Sequence, residues 1–146
     1  MKKLHTLFPA VFFFVLIQPA LAQSAAPNWQ PVFLNAAGSQ SLYGVRVFYA
    51  LEQCDGQDAL ILKFVNTNTY TVKAEWEHLM YRTSGEAVSG SDRKSLTINA
   101  NGEVQGDCAY NATLKIILSE HGLKATGFSQ YTAAYFTVSP VNEANK

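Results

Sequence analysis

The sequence predicts an all-β fold, a single antiparallel β-sandwich of about seven or eight strands closed by one disulfide. Three observations point there. Apolar residues recur at every second position, which lays them on one face of an extended chain, and the helical spacing is weaker throughout. Clusters of Gly, Asn, Asp and Ser break the chain between the apolar runs at sandwich-like intervals. No proline falls between Pro31 and Pro140, and because proline cannot donate to a strand ladder, that interval is where paired strands belong.

The chain of 146 residues opens with Lys2 and Lys3, an apolar run over residues 11–17, and small Ala20 and Ala22. A cationic start, a short apolar stretch and small residues before a cleavage point form an export signal, so residues 1–22 are expected to be removed after Ala22. The apolar run is shorter than the roughly 20 residues that span a bilayer, so no membrane span is expected after cleavage. Gln23, where a lipoprotein would carry cysteine, argues against a lipid anchor. The short Met-Lys-Lys start resembles bacterial Sec signals, which implies a secreted or periplasmic protein. Residues 23–30 read as a flexible leader, 31–140 as the sandwich domain and 141–146 as a polar tail.

A weak first strand is expected at 32–34. In 45–51 the odd positions Val45, Val47, Tyr49 and Leu51 share one face, with Arg46, Phe48 and Glu52 on the other. Asp55-Gly56 is a turn signal, and residues 59–65 are apolar on both sides except for Lys63, as a central strand requires. After the turn 66–69 comes the cleanest alternation, Val72, Ala74 and Trp76 against Lys73, Glu75 and Glu77. That strand should have one wet face. Residues 84–92 read as a long loop with room for a short edge pairing. Strands are expected at 94–98, 103–105, 114–118 and 131–138, with turns at 99–102 and 119–122.

Cys54 and Cys108 are the two cysteines, and export takes them to a place where thiols pair. Each lies beside turn residues, so one structural disulfide at strand ends is expected. The chain has no Cys-x-x-Cys and too few candidate ligands for a zinc site, so no metal is expected. Across residues 31–140 the layout resembles the immunoglobulin or fibronectin type III class of sandwich found in bacterial secreted proteins. A jelly roll or small barrel is the alternative, because strand spacing alone does not decide closure.

Function is less legible. The expected mature chain carries nine basic and eleven acidic residues, a net charge of −2, which gives no footprint for nucleic acid. Its histidines are His78, which follows the parity of Trp76 and is expected to be partly buried, and His121, expected in an exposed turn. Neither sits in a catalytic motif, and no phosphate loop, nucleophile elbow or metalloprotease signature occurs. Lys73, Glu75 and Glu77 read as a solvated stripe, and Asp55 to Asp58 as a turn that lacks the ligand pattern of a calcium loop. Asn111 opens a glycosylation sequon with no consequence on a bacterial route. Trp29, Tyr43, Tyr70, Tyr81, Tyr110 and Tyr131 fall at expected strand ends or loops and supply a candidate carbohydrate platform. By elimination the sequence implies a non-catalytic, cofactor-free interaction domain with a protein partner, using a sandwich edge or loops. A glycan-binding module and a small enzyme with an unfamiliar site are the alternatives.

Overall fold

Asp55 and Gly56 take φ values of 51° and 76°, the left-handed pair of a two-residue turn whose twist matches that of antiparallel strands. They join β3 (Val45–Cys54) to β4 (Gln57–Asn66), in unbroken register from Cys54 opposite Gln57 to Val45 opposite Asn66. Tyr43 and Gly44, at 48° and 75°, repeat the device between β2 (Ser41–Leu42) and β3. A Cβ at Gly44 would lie 2.5 Å from the Asn68 side chain, so close approach as well as conformation requires glycine there. This computed structural model describes residues 26–90, 92–109 and 113–141. The expected export signal, the first part of the leader, Tyr110, the sequon residue Asn111 and residues 142–146 lie outside the described residues.

The fold is an all-β sandwich of two antiparallel sheets. In the first, β3 and β4 form the centre. β1 (Gln30–Pro31) and β2 lie against β3, while β8 (Glu103–Gln105) and β9 (Lys115–Ile117) lie against β4. In the second, β5 (Val72–Arg82) is central. β10 (Phe128–Pro140) covers one side of it, and β6 (Ala87–Ser89) and β7 (Lys94–Ile98) share the other. The short pieces β1, β2 and β6 raise the count to ten strands among the described residues, above the seven or eight expected.

Between the sheets, Val45, Val47, Leu60, Leu62 and Phe64 meet Val72, Ala74, Trp76, Met80, Tyr131 and Phe136 in one core. Trp76 is completely buried and its ring centroid lies 4.6 Å from that of Phe64. β4 is buried on both faces, as a central strand requires, because a second, smaller core covers its outer side. There Cys54, Ala59 and Ile61 pack with Trp29, Cys108 and Ile117. The Cys54–Cys108 disulfide is formed, with Cα atoms 5.1 Å apart. It closes 54 residues, and in the chain-entropy picture removing that freedom from the unfolded chain is worth about 4 kcal/mol.

Two local expectations shift. Trp29 and Gln30, assigned to the leader, belong to the folded part: Gln30 pairs with Tyr49, and the Lys63 ammonium sits 4.7 Å over the Trp29 ring, a cation–π contact. Leu51 shares the parity of Val45 and Val47 yet is exposed. A further anchor is Asn66, buried at the end of β4. Its amide donates to the carbonyls of Tyr70, Ile98 and Asn99, and its oxygen accepts from Asn68, tying two turns to one strand end. Without those bonds a buried amide would carry a desolvation cost of roughly 1–3 kcal/mol.

Candidate functional site

His78 lies on β5, two residues beyond Trp76, and therefore points into the same core. Only 5% of it is exposed. The Trp76 indole N–H donates to His78 Nδ1 at 3.3 Å, and the Tyr131 hydroxyl lies 2.9 Å from the same nitrogen. Indole N–H is a donor only, so Nδ1 must carry its lone pair and the proton of the neutral ring resides on Nε2. Burial, reinforced by the Lys94 and His121 charges and opposed by Asp92, lowers the pKa of His78 to about 4. Burial pushes the Tyr131 hydroxyl well above its usual range, against a smaller lowering by a hydrogen bond from Trp76, so it stays protonated.

The border of the second sheet opens beside this ring. β6 pairs with β5 at Leu79, Met80 and Tyr81, and β7 pairs with it from Val72 to Trp76, so neither strand's register reaches Glu77 and His78. Gly90 bridges the gap with an N–H to the His78 carbonyl at 2.9 Å. The opening is a cleft of about 240 Å³, lined by His78, Gly90, Asp92, Lys94, Lys115, Ile116, Glu120 and His121. Lys115 and Ile116 come from β9 of the opposite sheet. Glu120 and His121 come from the 3-10 turn Leu118–His121 that follows it. The loop expected over 84–92 thus supplies one wall. Both histidines and two carboxylates meet here, although nothing in their sequence spacing, with the histidines 43 positions apart, signalled it.

What this cleft can do follows from the tautomer of His78. A general base presents an unprotonated nitrogen to its substrate, whereas Nδ1 here faces Trp76 and Tyr131, and Nε2 carries the proton. His78 is therefore a fixed hydrogen-bond donor above about pH 4. Among the described residues no group of three or more His, Cys, Asp or Glu side chains is arranged to hold a metal ion.

A second feature lies on the other border of the same sheet. β10 is 13 residues long, and beyond β5 its one further strand contact among the described residues is a parallel bridge from Phe33 to Thr132. The β5 register shifts between Ala134 and Thr137, a bulge that puts two residues opposite Trp76. In it Tyr135 adopts φ 51° and is 74% exposed. A left-handed backbone at a non-glycine residue costs on the order of 1 kcal/mol. Two shallow grooves flank this ring: one of about 420 Å³ reaches Phe33 and Thr132, the other, of about 320 Å³, reaches Leu79 and Ser89.

The remaining candidates separate. Tyr131 is core and Trp29 and Tyr81 are half-buried, so they form no platform. Tyr43 and Tyr70 are 70% and 48% exposed, and the Asn66–Asn68 bonds hold their two turns at one end of the sandwich. Lys73 and Glu75 pair at 3.1 Å on the wet face of β5, a solvated stripe as expected. Tyr135 is the residue that sequence reading passed over: placed inside a regular strand it reads as one more alternating position, and only the bulge turns it outward. Compared with known proteins, the chain matches no family model, no curated protein and no solved structure at a significant level.

Proposed function

We propose that this chain is an exported, non-catalytic interaction domain that takes an extended segment of a protein partner along the free edge of β10, with Tyr135 as the anchoring side chain. The observation that carries this reading is the length of that edge. Every other sheet border among the described residues is made of strands of two to five residues, whereas β10 is 13 residues long, and beyond the single Phe33–Thr132 bridge its outer edge pairs with no other strand among the described residues. Short, interrupted borders are how sandwiches avoid unwanted strand pairing, and a long free edge is the template used in strand addition. Tyrosine is enriched among the residues that dominate binding energy, and an exposed ring held at a strained backbone is a feature the core does not need. Export to a secreted or periplasmic destination agrees with the disulfide and with the absence, among the described residues, of a helix long and apolar enough to cross a membrane.

The test is photo-crosslinking in the native cells with a photoreactive residue at 135, at 137, or at 52 on the opposite sheet. The proposal requires one discrete protein adduct from 135 and 137, absent from 52 and lost when Ala134 is replaced by Pro. No adduct, or the same adduct from all three positions, contradicts it. A second reading, glycan binding, is favoured by exposed Tyr43 and Tyr70 at one end of the molecule. It predicts a saturable glycan-array signal that Tyr43→Ala abolishes, and a null array removes it.

A further inference from the structure

Three turns meet at the end of the sandwich away from the disulfide: Tyr43-Gly44 before β3, residues 67–71 between β4 and β5, and residues 99–102 between β7 and β8. Two asparagines bind them into one frame. Buried Asn66 donates to the carbonyls of Tyr70, Ile98 and Asn99, and Asn68 Nδ2 donates to the Tyr43 carbonyl at 2.8 Å and to Asn66 Oδ1 at 2.9 Å. The Asn101 N–H donates to the Asn68 carbonyl at 2.8 Å, and the Thr67 N–H and hydroxyl both donate to the Gly44 carbonyl. Linked through these two side-chain amides, the Tyr43 and Tyr70 carbonyls stand at most about 11 Å apart.

The frame turns two rings and several neutral polar groups to solvent. Tyr43 and Tyr70 belong to neither core, and Thr69, Asn99 and Asn101 are exposed beside them. Among the described residues no hydrogen bond or ion pair engages the two phenol hydroxyls or the side chains of Thr69, Asn99 and Asn101. The molecule holds its own control for Tyr43. The Asp55-Gly56 turn has the same pair of left-handed residues and fills the first place with Asp, which tolerates that backbone, whereas a bulky aromatic residue is disfavoured there. Folding therefore does not call for the Tyr43 ring. No charged residue occurs in 39–45, 66–71 or 98–102. Phenol rings stack on the C–H face of a pyranose, and amides and hydroxyls both donate to and accept from its hydroxyl groups. On the glycan-binding reading, and independently of the β10 edge, we infer that this end of the sandwich binds a neutral oligosaccharide of two or three units, stacked on Tyr43 and Tyr70 and hydrogen-bonded by Asn99 and Asn101. The asparagine frame holds both rings in place before the sugar arrives, so little ordering is lost on binding.

The experiment probes a glycan array with the disulfide-bonded protein, the array carrying neutral hexose, pentose and N-acetylhexosamine mono- to tetrasaccharides beside their uronate and sulfated counterparts. The strongest neutral oligomer is then titrated by NMR. Saturable shifts are expected at the Gly44, Asn68, Tyr70 and Asn101 amides, with the Asp55-Gly56 turn unmoved. Tyr43→Ala and Tyr70→Ala should each bind that oligomer at least about tenfold more weakly. Asn101→Asp keeps a residue at home in left-handed backbone but removes its amide donor, and should bind about fivefold more weakly. Binding confined to the acidic sugars, or retained by both tyrosine variants, would overturn this site while leaving glycan binding in place. A null array would overturn both.

Discussion

The two borders of the second sheet differ although both lie against β5. On one side β6 and β7 are short and leave Glu77 and His78 uncovered between them. On the other, β10 runs beside β5 from Arg82 to Val72 with two register shifts, at Phe128/Gln130 and at Ala134/Thr137. The broken border makes a polar cleft whose chemistry is set by a buried histidine. The continuous border presents backbone and one strained aromatic ring. A gap in a ladder thus exposes side chains, and an unbroken ladder at a sheet edge exposes main-chain donors and acceptors.

The largest effect should come from the residue that serves both borders. Trp76→Ala empties the centre of the core and removes a donor from His78 Nδ1, so it should destabilise the protein by about 4 kcal/mol in chemical denaturation. Loss of the His78 environment should also appear as shifted amide resonances at His78 and Gly90, whose N–H binds the His78 carbonyl. A stability loss below about 1 kcal/mol would mean that the core does not close on Trp76.

Acid should act on the broken border through His78. His78 titrates near 6.5 in an unfolded chain and near 4 here. Between those values the unfolded state binds more protons, so this contribution is complete above about pH 6.5 and is lost as pH falls toward 4. Its size is on the order of 3 kcal/mol. His78→Asn keeps an acceptor for Trp76 and Tyr131 while removing the titration, and should flatten the stability profile over that window. A variant profile parallel to the parent's would show that His78 is not the titrating group.

Tyr131 crosses between the borders, since it belongs to β10 and its hydroxyl reaches His78. Tyr131→Phe keeps the packing but removes that bond, for an expected loss of roughly 1–2 kcal/mol and a measurable change in the His78 nitrogen shifts. Unchanged shifts would uncouple the two. The smallest effect belongs to the continuous border: Tyr135→Gly relieves the left-handed strain and should raise stability by up to about 1 kcal/mol, as thermal unfolding reports. The same change should abolish the crosslinked adduct, seen from the probe at 137. Destabilisation instead would make Tyr135 a packing residue.

The sheet framework was readable because each strand carries its own signal. Alternation in 72–76, the Asp55-Gly56 turn and the two cysteines define local geometry, and 94–98 and 103–105 coincide with β7 and β8. The small outer core was less visible, since Trp29, Ile61 and Cys108 are far apart in sequence and meet only when the sheet forms. The cleft was hidden for the same reason. His78 was legible as a buried residue from its parity with Trp76, whereas its meeting with His121 depends on how β9 and the following turn pack against the opposite sheet. Tyr135 was concealed by regularity: a bulge adds one residue to one strand, and an alternating sequence carries no mark of it.

The account turns on β10 having a free edge, and residue-resolved hydrogen exchange of the protein alone tests that most directly. An edge strand bonded on one side should show protected and rapidly exchanging amides in alternation, interrupted at the bulge, while the β5 amides from Val72 to Trp76 are protected throughout. Uniform protection along β10 would mean that its outer side is already paired, and would contradict the proposed contact surface.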